Sequence, residues 1–187
     1  FPISSFDLDL TKLHEQVLSL PPVKIAEAHI KGGGILHIKV DEKTPALLLK
    51  KEFGFDVLSE NGEYIRSVSS REYFPALPII TGEGAENAAP QAIAIFKAFY
   101  QKLDQVRGLV FVGKRRWNII MTSGQVVMLP ESDPQQAIQK ILILDKVEQI
   151  LSRQITVFDF RLPSRITLRI PSDKYGQMNS ELIGVRN

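Results

Sequence analysis

The sequence predicts an α+β chain in two modules: a helix lying on a hairpin, then a mixed β domain, mainly antiparallel, with two helices packed on its sheet. Three observations lead to this reading. Apolar residues recur at helical spacing in three separate stretches. Alternating runs bounded by Gly, Asn-Gly and Pro fill most of the remainder. Thr44-Pro45 falls between the first hairpin and a long series of strands, marking a change of module. The expected boundaries are 1–46 and 47–171, with a weakly patterned tail over 172–187.

In the first module Leu10, Leu13, Val17 and Leu20 fall on one helical face, Asp9 stands where it can cap the first turn, and Pro21-Pro22 stops the helix. Two alternating runs follow around "KGGGI". A three-residue loop centred on Gly33 sets Ala28 opposite Ile38 and Ile30 opposite Leu36. Glu27, His29, Lys31, His37 and Lys39 then share the other face. A helix on the apolar face of this hairpin is expected to bury a small core.

In the second module Asn61-Gly62 signals a hairpin between Phe55 to Leu58 and Tyr64 to Val68. The stretch "YFPALPIITGEGAENAAP" reads as a packed connector. Ala92, Ile95, Phe96, Phe99, Leu103 and Val106 form one helical stripe that must lie on a sheet. Strands are expected over Leu109 to Val112, Arg116 to Thr122 and Gln125 to Leu129, the last two joined by a turn at Ser123-Gly124. Asp133-Pro134-Gln135-Gln136 supplies an N-cap, a first-turn proline and a glutamine placed as in a capping box, opening a helix to about Leu151. Two last runs, Ile155 to Leu162 and Arg165 to Ile170, are split by Pro163-Ser164.

Composition narrows the function classes. The 187 residues carry 23 Lys plus Arg against 21 Asp plus Glu, a net charge of +2 that is too mild to mark a polyanion partner. Hydrophobic content of 44% is ordinary for a globular chain. With no cysteine, disulfides, thiol nucleophiles and Cys-ligated zinc are excluded. No apolar run reaches the ~20 residues needed to cross a bilayer. A start at Phe1 without a cationic leader reads as a fragment, so any membrane anchor is expected upstream.

The candidate sites differ in strength. His29 and His37 face each other in the expected register, but Lys31 and Lys39 share their face and oppose a divalent cation, so a solvated face is the simpler reading. The triple glycine precedes a strand, whereas a phosphate cradle needs a helix. Glu83 and Glu86 on "TGEGAE" have no local base to work with, and no catalytic motif occurs elsewhere. "VGKRRWNIIMTSGQVVMLPE" places Lys114, Arg115 and Arg116 before the only tryptophan, Trp117. Adjoining runs lack the further cations and aromatics that nucleic acid would want. That leaves a core tryptophan with solvated cations, or a protein-facing patch. In "RITLRI", Ile166, Leu168 and Ile170 alternate with Arg165, Thr167 and Arg169, which predicts one buried face and one wet face. As the last element it is expected at the sheet edge. There the arginines either discourage edge-to-edge association or flank an edge that accepts a strand from a partner.

Five segments in order, "FDLDLTKLHEQVLSLPPVKIAEAHI", "VDEKTPALLL", "LPIITGEGA", "VGKRRWNIIMTSGQVVMLPE" and "FDFRLPSRITLRI", resemble the bacterial cell-division family FtsQ/DivIB in its form from Gram-negative α-class bacteria. The resemblance covers nearly the whole chain to about Pro171. It implies a protein of the periplasmic side of the cell inner membrane, anchored by an N-terminal helix absent here, whose periplasmic part is a POTRA domain followed by a β domain. The helix-on-hairpin module is then a truncated POTRA domain, because the strand and helix that open such a domain do not precede it. "KGGGI" also stands where the family commonly has a Pro-Gly turn.

The resemblance further implies a non-enzymatic divisome scaffold without cofactors. It binds FtsB and FtsL through strand addition at the last β strand and helps place the septal peptidoglycan synthases FtsW and FtsI. Carried over to this chain, the partner-binding residues are Arg165, Ile166, Thr167, Leu168, Arg169 and Ile170, with Phe160 on the neighbouring strand and Lys114, Arg115 and Trp117 on the basic motif. The alternative is a POTRA-bearing chaperone or transport adaptor that takes extended substrate peptides.

Overall fold

A computed structural model describes residues 9–162 and 164–171. The expected tail over 172–187 and the proline of the Pro163-Ser164 break lie outside the described residues. Compactness divides the chain between Leu77 and Pro78, so the strands that follow Thr44-Pro45 count with the first unit.

In the first unit, α1 (Leu10–Leu18) is capped as expected: Asp9 takes an extended conformation and its carboxylate accepts the Lys12 N–H at 3.0 Å. Strands β1 (Val23–Lys31) and β2 (Ile35–Glu42) pair antiparallel in the expected register, Ala28 opposite Ile38 and Ile30 opposite Leu36. The three glycines close the turn, Gly33 and Gly34 with positive φ. The expected core is not there. α1 touches β1, but every residue of β2 is exposed, Ile38 at 42%, and no residue of α1 is buried. In the hairpin only Val23 and Ala26 of β1 are buried, so the alternation of β2 finds no second layer. The remaining strands, β3 (Pro45–Lys50), β4 (Phe55–Ser59) and β5 (Tyr64–Val68), form an antiparallel meander whose Asn61-Gly62 turn is the one expected. Leu47, Leu48, Leu49 and Val57 are its core.

In the second unit the sheet order is β11-β10-β9-β8-β7-β6. Its strands are β6 (Ile79–Thr81), β7 (Val106–Val112), β8 (Arg116–Met121), β9 (Val126–Met128), β10 (Val157–Asp159) and β11 (Thr167–Arg169). Pairs β6-β7 and β9-β10 are parallel; β7-β8, β8-β9 and β10-β11 are antiparallel. Helices α2 (Ala89–Ala98) and α3 (Pro134–Glu148) touch each other. Ala92, Ile95, Phe96, Ala137, Ile138 and Ile141 on these helices, with Trp117, Ile119 and Met121 of β8, are buried.

Three local expectations need correction. The connector before α2 contains a strand, β6, which is only three residues long and sits between Pro78 and Gly82, too short to show a period. The α2 stripe does not run to Val106. The helix ends at Ala98 and a 3-10 stretch with a kink at Lys102 carries the chain onward. There the Thr122 N–H and hydroxyl both donate to the Gln105 carbonyl, at 2.7 and 3.2 Å, drawing the chain into the sheet at β7. Asp133 does precede α3, but in a left-handed conformation (φ 51°) with no side-chain cap bond; its carbonyl accepts the Gln136 N–H instead. The capping geometry needs extended backbone, which Asp133 lacks.

Candidate protein-interaction site

The site lies at one end and one edge of the second unit's sheet. β11 is the terminal strand, and among the described residues no strand pairs with its outer side. Its inner side is fixed: Val157 stands opposite Arg169, Phe158 opposite Leu168, Asp159 opposite Thr167. The Arg169 carbonyl accepts from the Thr156 N–H at 2.8 Å and from the Thr156 hydroxyl at 3.1 Å, so the backbone of Arg169 faces β10. Backbone groups of successive strand residues point to opposite sides. Thr167 therefore also faces β10, and the N–H and C=O of Leu168 face outward.

The side chains of this edge depart from the expected pattern. Ile166 and Leu168 are 41% and 43% exposed, so the apolar face of "RITLRI" is uncovered while Ile170 is half-buried. Arg165, Thr167 and Arg169 are exposed as well. Beside the edge, between the start of α3 and the β10–β11 connection, a cavity of about 390 Å³ is lined by Pro130, Lys140, Phe160, Leu162, Arg165 and Ile166 among others.

Two residues expected on the contact surface are beneath it. Trp117 is 1% exposed, donates its indole N–H to the Gln91 side chain at 2.9 Å and lies against Phe111 with ring centroids 4.6 Å apart. Phe160 is 4% exposed, and its N–H donates to the Met128 carbonyl at 2.9 Å. Trp117 lies on the buried face of β8, and Phe160, just past the end of β10, is buried like Phe158 two residues before it, so both support the site without presenting themselves to a partner. Lys114 and Arg115, by contrast, are exposed in the turn between β7 and β8. β8 begins only at Arg116, so Lys114 and Arg115 belong to the turn and not to the strand that carries Trp117.

Sheet register brings the basic turn and the edge to the same end of the sheet. Trp117 accepts from the Leu129 N–H through its carbonyl, Met128 pairs with Asp159, and Asp159 pairs with Thr167. The charges there are largely matched. Lys114 pairs with Glu83, and Arg115 approaches Glu131 at 3.7 Å. Arg161 donates to both Asp159 oxygens, Nε at 2.9 Å to one and Nη2 at 2.6 Å to the other, and its backbone N–H adds a bond at 3.0 Å. These bonds hold the Asp159 carboxyl below the usual carboxylate range against the opposing effect of its partial burial, with the charge of Arg116 adding a little. Asp159 in turn keeps Arg161 protonated to higher pH. Among the described residues no carboxylate is ion-paired with Arg165 or Arg169. The pairing of Arg161 with Asp159 and the carboxylates opposite Lys114 and Arg115 were missed in the sequence; a residue spacing of two made the first readable, and nothing local pointed to the others.

Outside this region, the imidazoles of His29 and His37 stack in the β1–β2 hairpin with centroids 5.7 Å apart. Glu83, on a tight Gly-rich loop, is the ion-pair partner of Lys114 already described.

Residues 46–161, which include this sheet as far as Arg161, match the family described as cell division protein FtsQ/DivIB, C-terminal. The chain belongs to the FtsQ/DivIB family. It is 40% identical over 169 residues to the cell division protein FtsQ of Jannaschia sp., covering 90% of this chain and 54% of that protein. The corresponding protein of Paracoccus denitrificans is also 40% identical over 169 residues, 90% of this chain and 50% of its own length. That of Novosphingobium aromaticivorans is 30% identical over 166 residues, 88% and 52%. The chain thus spans about half the length of the curated relatives it matches. No helix among the described residues is long and apolar enough to cross a membrane.

Proposed function

We propose that this chain is a non-enzymatic scaffold of the divisome that receives an extended segment of FtsB on the outer side of β11, with FtsL bound alongside, and so helps place FtsW and FtsI at the septum. In this reading the chain stands on the periplasmic side of the inner membrane, held by a helix upstream of this sequence. Residues 1–46 are the remainder of a POTRA domain, and 47–171 are the partner-binding β domain. The observation that carries it is the outward-facing backbone of Leu168 flanked by exposed Ile166 and Leu168. Backbone pairing through the N–H and C=O of Leu168 supplies the hydrogen bonds, and the exposed apolar side chains supply the area that makes such pairing favourable in water.

The test exploits the alternation of the edge. Leu168→Pro removes the outward N–H without touching the ladder to β10, and proline is tolerated at such an edge position. Leu168→Ala keeps the N–H and removes only the side chain. In titrations with the periplasmic segment of FtsB, Leu168→Pro is expected to lower affinity at least tenfold more than Leu168→Ala while the thermal transition of the free protein stays near that of the unaltered chain. Equal binding by the two variants would defeat strand addition at this edge. If instead the unaltered chain captures many unrelated extended peptides with similar affinity, the chaperone or transport-adaptor reading replaces this one.

A further inference from the structure

We infer that Glu83 and Glu131 are specificity residues: they occupy Lys114 and Arg115 in the free protein, so that only a partner bringing well-placed carboxylates displaces them. The inference rests on the proposed binding of a partner at this end of the sheet, and takes from the exposed cations Lys114, Arg115 and Arg165 there that the partner brings acidic side chains to them.

The pairing of Lys114 with Glu83 is built by backbone, not by two long side chains drifting together. Glu83 stands between Gly82 and Gly84, both with positive φ. At Gly82 (φ 116°) a β-carbon would run into the carbonyl oxygen of Phe111, so the loop is pressed directly against the end of β7. At Gly84 a β-carbon would lie 3.9 Å from Cγ of Lys114. On the other side of the contact, Lys114 itself holds a left-handed backbone (φ 55°) in the turn, a conformation uncommon for a residue with a β-carbon. Two segments some thirty positions apart in sequence, "TGEGAE" and "VGKRRW", thus converge on one ion pair. Glu131 follows β9 and meets Arg115 from the opposite flank.

The physical consequence is a filter. Unpaired, Lys114 and Arg115 would attract any anionic chain. With their own carboxylates beside them, an incoming acid gains only the difference between its pairing and the one it replaces. Because all four groups are exposed, those pairs are weak enough to exchange. A partner that presents acids at the right positions exchanges both; one with acids elsewhere gains nothing. Arg165, which has no in-chain carboxylate among the described residues, lies nearest the edge and is open from the start.

The test is a set of charge-neutralising variants in the full chain: Glu83→Gln, Lys114→Gln and the two combined, titrated with the FtsB segment and with a poly-glutamate peptide as a non-cognate acid. Glu83→Gln is expected to raise affinity for the FtsB segment about two- to fivefold, to raise poly-glutamate binding by at least as much, and to steepen the salt dependence of both. In the Lys114→Gln background the gain should vanish. If Glu83→Gln leaves binding unchanged or weakens it while Lys114→Gln weakens it, the competitor role is overturned although the turn still faces the partner. If Lys114→Gln has no effect on binding, the reading on which the inference rests fails at this turn.

Discussion

Trp117, Ile119 and Met121 of β8 are each at most 1% exposed, while Leu168, at the matching position of its own alternation in β11, is 43% exposed. Both strands carry every second residue apolar. β8 lies in the interior of the sheet, between β7 and β9, with α2 close enough for Gln91 to accept from the Trp117 indole. β11 lies at the border, and the side chains that its alternation gathers on one face are only partly covered, Ile166 and Leu168 exposed and Ile170 half-buried. The comparison teaches that alternation states which residues share a face, and that burial depends on whether something else covers it. The β1–β2 hairpin repeats the point: its register is as expected, and β2 is exposed along its whole length.

The largest expected effect separates the two strands outright. Trp117→Ala should cost about 3–5 kcal/mol of unfolding free energy in a denaturant titration, whereas Leu168→Ala, with much less buried area to lose, should cost about 1 kcal/mol and act mainly on partner binding. Comparable losses from both would mean that β11 is covered in solution. An intermediate effect is expected from Gln91→Ala, which leaves the buried Trp117 N–H without its acceptor; about 1–3 kcal/mol should be lost in the same titration, and a loss far below that would show water reaching the indole.

The smallest effect belongs to the border and depends on pH. The carboxyl of Asp159 is held below its unfolded value by Arg161, so its contribution to stability is complete at neutral pH. It is lost as pH falls from the usual carboxylate range through the lowered folded value. Asp159→Asn should therefore narrow the difference in stability between pH 6 and the acid end, most visibly in amide exchange of β10 and β11. An unchanged acid profile would show that the bond between Arg161 and Asp159 holds nothing in place.

Much of the second unit was legible along the chain. β7, β8 and β9 and the Ser123-Gly124 turn, like the register of the β1–β2 hairpin in the first unit, follow from alternation and turn chemistry, which are local. β6 was not, because three residues carry no period. The early end of α2 was not, because the apolar spacing runs on past Ala98 to Val106, while the bond from Thr122 that fixes Gln105 at the entry to β7 joins residues seventeen apart. At the candidate site, the edge position of β11 and the exposure of Lys114 and Arg115 were readable. A core position for Trp117 was one of the two readings of the basic motif, whereas the burial of Phe160 and the carboxylates that answer the basic turn were not readable.

By itself the sequence determined the α+β class, the pairing of neighbouring strands, the basic turn and the last strand with its alternating residues, since each depends on contacts within a few positions. Only the tertiary structure decided that the apolar face of β11 stays uncovered, that the backbone of Leu168 points outward, and that Glu83 reaches Lys114. These follow from which layers and loops arrive from elsewhere in the chain, and distance along a polypeptide says little about closeness in space.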